Sequence, residues 1–133
     1  MAEGIFNRVF NILEKMMDVS RIRHSYIVSN IANLETPRYR SKDVDFKQTL
    51  ISILQDQKDI DLRRTDSAHF KLSNSSVPIR LSEDKGKWNG YNWVNIDREI
   101  SRLIENNLNY RIYVETLLKK ITLIKEAIKE GGR

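Results

Sequence analysis

The chain has no cysteine, two prolines, two histidines and five glycines among its 133 residues. Without cysteine there is no disulfide framework and no thiolate metal site, so an oxidising compartment would have to be tolerated without staples. His24 and His69 leave little for hydrolytic or redox chemistry, since a zinc site would need further ligands from carboxylates. No HExxH, CxxC, GxSxG or glycine-rich phosphate loop occurs. No apolar run approaches the ~20 residues of a membrane span. The opening MAEGIFNRVFNILEKMM places Asn, Arg, Glu and Lys where a secretory signal would be apolar, so a cleaved signal is not expected. Export by another route stays open. These absences argue against an enzyme and imply no cofactor and no metal site.

The length allows one domain with a modest core. The net charge is +5, which invites nucleic acid or an anionic membrane as partner. Yet 18 acidic residues are mixed among 23 basic ones, with no basic stripe of interleaved aromatics. A mixed solvated surface accounts for that pattern, and neither nucleic acid nor a membrane span is expected.

Two long amphipathic patterns lie at the ends. The first predicts a helix over about 3–32, with Ile5, Phe6, Val9, Phe10, Ile12, Leu13, Met16, Met17 and Val19 as a wide stripe that thins to Ile22, Tyr26, Ile27 and Ile31. Ser20, Arg23, His24 and Asn30 intrude on that face. Thr36-Pro37 ends it, because the proline ring cannot continue a helix and displaces its predecessor from the α region. The second pattern runs Ile100, Leu103, Asn107, Tyr110, Val114, Leu117, Ile121, Ile124, Ile128, a heptad seam. Asp97 is its expected N-cap and Gly131-Gly132 its stop, with lysines crowding the C-terminal end where the dipole favours them. Two similar lengths joined by a return segment predict a mainly α fold, an antiparallel coiled-coil-like pair. The expected division is 1–35, a terminal helix; 36–96, a turn, a short helix and an irregular or small β segment; and 97–133, the second terminal helix.

In the middle, Asp45 followed by Gln48 reads as a capping box opening a short helix near 45–56. Asp59–Leu62 and Val77–Leu81 read as strand fragments, and Ser73–Ser76 with Gly86 and Gly90 as turns. Asp43 and Asp45 are a spaced carboxylate pair, but with Arg38, Arg40 and Lys42 beside them charge pairing or capping is favoured over acid–base work. Asn107 within the seam is either a polar residue at a wet end of the pair or a register device. Trp88, Tyr91 and Trp93 form either a contact site or a packed lid.

Ser29–Phe46 carries a resemblance. Asn30, Ile31, Ala32, Asn33, then Thr36, Pro37, Tyr39, and then Asp43, Val44, Asp45, Phe46 resemble the motif of flagellar basal-body rod proteins of the FlgB type. Arg64–Phe70, Asn92–Glu99, Asn107, Tyr110 and Glu130-Gly131-Gly132 are similar as well. Arg38 stands where that family usually has glycine, which implies positive φ at this turn. The resemblance implies a structural, non-enzymatic subunit of the proximal rod, polymerising helically through its terminal helices around the export channel. Its assembly residues would be the seam together with Ile5, Val9, Ile12, Leu13, Met16 and Ile27. Its partners would be further copies, other rod proteins, the membrane ring and rod adaptor of the basal body, and the type III export gate. Its place would be the periplasmic rod, reached without a cleaved signal. Phe6 and Phe10 resemble the short hydrophobic element of early flagellar export substrates; their i, i+4 spacing by itself also fits plain helix core. Apart from the resemblance, a cytosolic helical-hairpin adaptor or chaperone would use the same seams, and a basic nucleic-acid-binding module is a third reading.

Overall fold

The computed structural model describes residues 2–62, 79–83 and 86–132. In chain order the elements are helix α1 (Ala2–Ala32), strand β1 (Lys42–Val44), helix α2 (Phe46–Leu62), strand β2 (Leu81–Glu83) and helix α3 (Ile96–Gly131). The fold is mainly α, as the two end patterns predict. The long helices pack antiparallel: Asn30 of α1 bonds Glu99 of α3, Ser20 receives Asn106, and the Lys120 ammonium sits 5.8 Å from the Phe10 ring. At 1.5 Å per residue the pair is roughly 50 Å long.

The apolar stripe of α1 explains its position in the middle of everything. Leu13, Met16, Val19 and Ile27 are buried. Met16 and Val19 form the core cluster with Val44 of β1 and Ile53 of α2, and Ile12, Tyr26, Phe46, Leu50, Ile79 and Tyr113 pack around it. Each fully buried aliphatic side chain contributes about 2 kcal/mol. Short β1 and β2 pair antiparallel, Lys42 opposite Glu83 and Val44 opposite Leu81, with β1 against α1 and β2 outside it.

Capping decides the element ends. Asp45 starts α2, its carboxylate accepting from Gln48 N at 3.0 Å. Only that half of the capping box forms, because Asp45 N is already donated to Arg80 O at 2.9 Å. The N-cap of α3 is Asn95 rather than Asp97; the Asn95 side chain accepts from Arg98 N, and Asp97 and Glu99 fall in the first turn. Both residue types cap well, and position relative to the preceding loop chose between them. Asp59–Leu62, read as a strand fragment, is the end of α2: once nucleated at Asp45 the helical ladder continues through a stretch too short to nucleate a sheet. The second fragment lies slightly later than expected, at Leu81–Glu83. His69, Arg64–Phe70, Ser73–Ser76 and the side chains of Ile5 and Phe6 lie outside the described residues.

After α1 the chain turns through Thr36-Pro37, and Arg38 adopts φ 59°, the left-handed region. The glycine expected on resemblance would sit there without strain; an L side chain is disfavoured by about 1 kcal/mol. The turn holds because Arg38 N donates to Tyr91 O at 3.0 Å and Tyr39 N to Thr36 O at 3.3 Å. Arg38→Gly is therefore expected to stabilise the monomer by up to about 1 kcal/mol, a rise of a few degrees in a thermal melt. An unchanged or lowered melting temperature would remove strain from the account of this turn.

Candidate functional site

Three features converge where α1 ends and α3 begins. The first is Asn30, which is 0% exposed. Its side chain treats Lys42 as a neighbouring strand would: Oδ1 accepts from Lys42 N at 3.0 Å and Nδ2 donates to Lys42 O at 2.8 Å. The second Nδ2 proton goes to Glu99 Oε2 at 3.0 Å, and Oδ1 also accepts from Tyr39 OH at 3.2 Å. Every hydrogen-bonding position of this amide is thus used, as a buried amide requires. One side chain fastens α1 to β1, to the elbow and to α3.

The second feature is a chain of charges inside the packed helices. Glu99 is 1% exposed and its Oε1 accepts from Arg102 Nη1 at 2.8 Å. Arg102 Nε lies 3.4 Å from Asp43 Oδ2. Asp43 in turn takes a two-pronged bond from Arg23, Nε to Oδ1 at 2.9 Å and Nη2 to Oδ2 at 3.0 Å, and accepts from Val44 N at 2.8 Å. Arg23 Nη1 reaches Glu105 at 3.7 Å, on the wet side. The hydrogen bond to Asp43 raises the Arg23 pKa above its ordinary value despite the opposing effect of burial. Burial likewise raises the Tyr113 hydroxyl. Arginine suits this place because its planar fork matches a carboxylate.

The third feature is Asn92, buried completely, whose Nδ2 faces three carbonyls at the end of α1: Leu34 O at 2.6 Å, Thr36 O at 3.3 Å and Asn33 O at 3.4 Å. It fastens the turn that follows α1 from a loop distant in sequence, satisfying carbonyls that the turn leaves open. Asn33 and Thr36 add local bonds, Asn33 Nδ2 to Ser29 O and Thr36 Oγ1 to Asn33 Oδ1.

The motif residues therefore gather at one elbow: Asn30, Asn33, Thr36, Tyr39 and Asp43 in the bonded network, Asp45 as cap of α2, Phe46 against the core, and Ile31 half-buried. Ala32 and Pro37 are exposed there. Arg23, Asn92, Glu99, Arg102 and Asn106 complete the network without having been named as site residues from the sequence. The resemblance of Asn92–Glu99 and the intrusion of Ser20, Arg23 and Asn30 into an apolar stripe point their way.

On α3 the face that α1 covers runs through Glu99, Arg102, Asn106 and Tyr113. It lies one residue, or about 100°, from the line Ile100, Asn107, Val114 of the seam. Leu103, Val114, Leu117 and Ile124 are half-buried at the boundary, whereas Ile100, Asn107, Tyr110, Ile121 and Ile128 are exposed. The polar residues of α1 explain the offset: they need polar partners, so the most apolar side of α3 is left outward. The buried amide between the helices is accordingly Asn106, donating to Ser20 O at 2.9 Å, and not Asn107. Ile104 is 64% exposed, and Leu108, Ile112, Leu118 and Leu123 are exposed with it. Alongside runs an open groove of about 650 Å³ between α1 and α3, with Phe10, Met17, Tyr110 and Leu117 as apolar walls and Glu14, Asp18, Arg21 and His24 also lining it. Of the stripe residues of α1, Leu13, Met16 and Ile27 are buried in the fold and Val9, Phe10 and Ile12 are half-buried.

No protein-family model matches the chain. Curated relatives match it nearly end to end. It is 30% identical over 130 residues to the flagellar basal body rod protein FlgB of Bacillus subtilis (strain 168), covering 96% of this chain and 98% of that protein. It is 30% identical over 129 residues to FlgB of Aeromonas hydrophila, covering 93% and 95%. The FlgB of Escherichia coli (strain K12) is 25% identical over 127 residues, covering 90% and 91%. Matched at 30% identity along nearly the whole of both chains, the chain belongs to the FlgB family of flagellar basal body rod proteins.

Proposed function

We propose that this rod component polymerises helically through its terminal helices, roughly 1–35 and 97–133, to build the proximal rod that transmits torque and surrounds the export channel. The observation that carries the reading is the row of exposed apolar side chains that winds along α3 from Ile96 to Ile128. A face of that length is stabilised only when covered, and covering it releases the water ordered along it. A neighbour meeting it head-to-tail leaves a fresh face for the next copy, the condition for an open helical polymer. The other rod proteins, the membrane ring and the rod adaptor are the remaining partners in this reading.

Ile104→Asp and Ile121→Asp test it. Both side chains point to water in the single chain, so the monomer should keep its helicity and melting temperature. A carboxylate forced into an apolar contact should reduce rod incorporation by more than tenfold, on the order of 2 kcal/mol or above per contact. Normal rods and normal motility in both variants would refute the assembly face.

The uncleaved export route rests on the N-terminal segment. We infer that Phe6 and Phe10 serve as its export element, since Phe10 is only half-buried in the folded chain and is not part of the core cluster. Phe6→Ala with Phe10→Ala should lower secreted protein severalfold while the intracellular amount holds. Undiminished secretion of a soluble double variant would reject the assignment.

A further inference from the structure

The elbow carries a second exposed feature that is independent of the α3 face. Trp93 N donates to Tyr39 O at 3.0 Å and Arg38 N to Tyr91 O at 3.0 Å, so 38–40 and 91–93 run side by side. Across that pairing the Arg40 guanidinium stacks on the Trp93 ring, 4.7 Å from its centroid, and Trp88 packs on the same ring at 4.5 Å. The loop is fixed by Asn89: its Oδ1 accepts from Tyr91 N and Asn92 N, and its Nδ2 donates to Asn92 Oδ1 and Val94 O. Yet Trp88 is 48% exposed and Tyr91 49%.

Rings held in place and left half in water are what a binding partner uses best. Their ordering entropy has already been lost, and tryptophan, tyrosine and arginine dominate the energetic centres of protein interfaces. The charges around them say what sort of partner. Arg38, Arg40, Lys42 and Lys87 are exposed at this end, against Glu35 and Glu83. Arg40 lies 3.6 Å from Glu83 with both side chains more than half exposed, a screened pair that an incoming carboxylate can replace. The presence of Glu83 and Glu35 at the same place disfavours an anionic membrane, which selects basic and aromatic residues without carboxylates.

We propose that the Trp88–Tyr91–Arg40 patch docks an acidic peptide segment of another protein, with an apolar side chain on the exposed rings and a carboxylate on the Arg40 fork. The proposal stands whether or not α3 is the polymer interface.

The test uses the full-length chain, diluted to monomer, and a fluorescein-labelled peptide of alternating glutamate and leucine. Its controls are the lysine–leucine counterpart and phosphatidylglycerol vesicles. Saturable binding of the acidic peptide is expected. It should weaken about tenfold in Trp88→Ala and in Arg40→Ala, the loss typical of a central contact residue. Arg40→Lys, which keeps the charge but not the fork, should also weaken it, and Ile104→Asp on α3 should leave it unchanged. The three side chains changed in these four variants are exposed, so far-UV circular dichroism should match the parent. Equal binding of the basic peptide, binding of vesicles alone, or full affinity in Trp88→Ala would overturn the proposal.

Discussion

Asn30→Leu should destabilise the monomer by about 3–5 kcal/mol, read as a shift of the urea midpoint at unchanged slope. The leucine side chain has a similar size but leaves Lys42 N–H, Lys42 C=O and the Glu99 carboxylate without their buried partner. Each orphaned group is worth about 1–3 kcal/mol, more for the charged one, with partial relief by water. A chain of this length has only on the order of 10 kcal/mol in total, so the elbow should melt well before the parent does. Asn30→Asp is the sharper test. It keeps the shape but, even when protonated, donates one proton where the amide donates two, to Lys42 O and Glu99 Oε2, so at about pH 7 it should be clearly less stable than the parent. The new carboxyl is held neutral by burial beside Glu99, and its folded-state pKa exceeds the ordinary ~3.9 of aspartate. The variant should therefore lose stability as the pH rises from about 4 towards the folded-state value, and recover on acidification relative to the parent. A flat difference between variant and parent over that range would mean that the amide is not buried against Glu99.

Asp43→Ala should cost about 3–5 kcal/mol, for a different reason. It removes the anion between Arg23 and Arg102 and leaves two nearly buried guanidinium groups facing each other. Arg23→Met combined with Asp43→Leu should recover most of that loss. Arg102 keeps Glu99 at 2.8 Å, and Glu105 is already wet. A double-mutant cycle should then return a coupling above about 2 kcal/mol between Arg23 and Asp43. The comparison separates two roles of a buried ion pair. If the apolar double variant matches the parent in stability but assembles poorly, the pair serves the register of α1 on α3 rather than its strength. A double variant as unstable as Asp43→Ala would show that packing alone cannot replace the charges.

Asn30, Asn33, Thr36, Tyr39 and Asp43, which the resemblance groups into one motif, lie together at one elbow. Asn30 finds its partner Glu99 69 residues away, and Ser20 of the same helix receives Asn106 from 86 residues away. No local pattern announces such a pairing. An acid in the first turn of a helix reads equally well as a dipole partner, and an asparagine beside another asparagine gives no sign of which will be buried.

By itself the sequence determined what depends on near neighbours: both long helices, the end of the first ahead of Thr36-Pro37 and the Asp45 start of α2. Those follow from steric limits and hydrogen bonds within a turn or two of the chain. Tertiary structure alone decided which side of α3 meets α1, that Asn95 rather than Asp97 begins it, and that Asn92 fastens the turn after α1. Periodicity says how wide an apolar face is, but the polar groups buried on α1 decide where it can be laid, because each of them requires a matching partner before the helices can close.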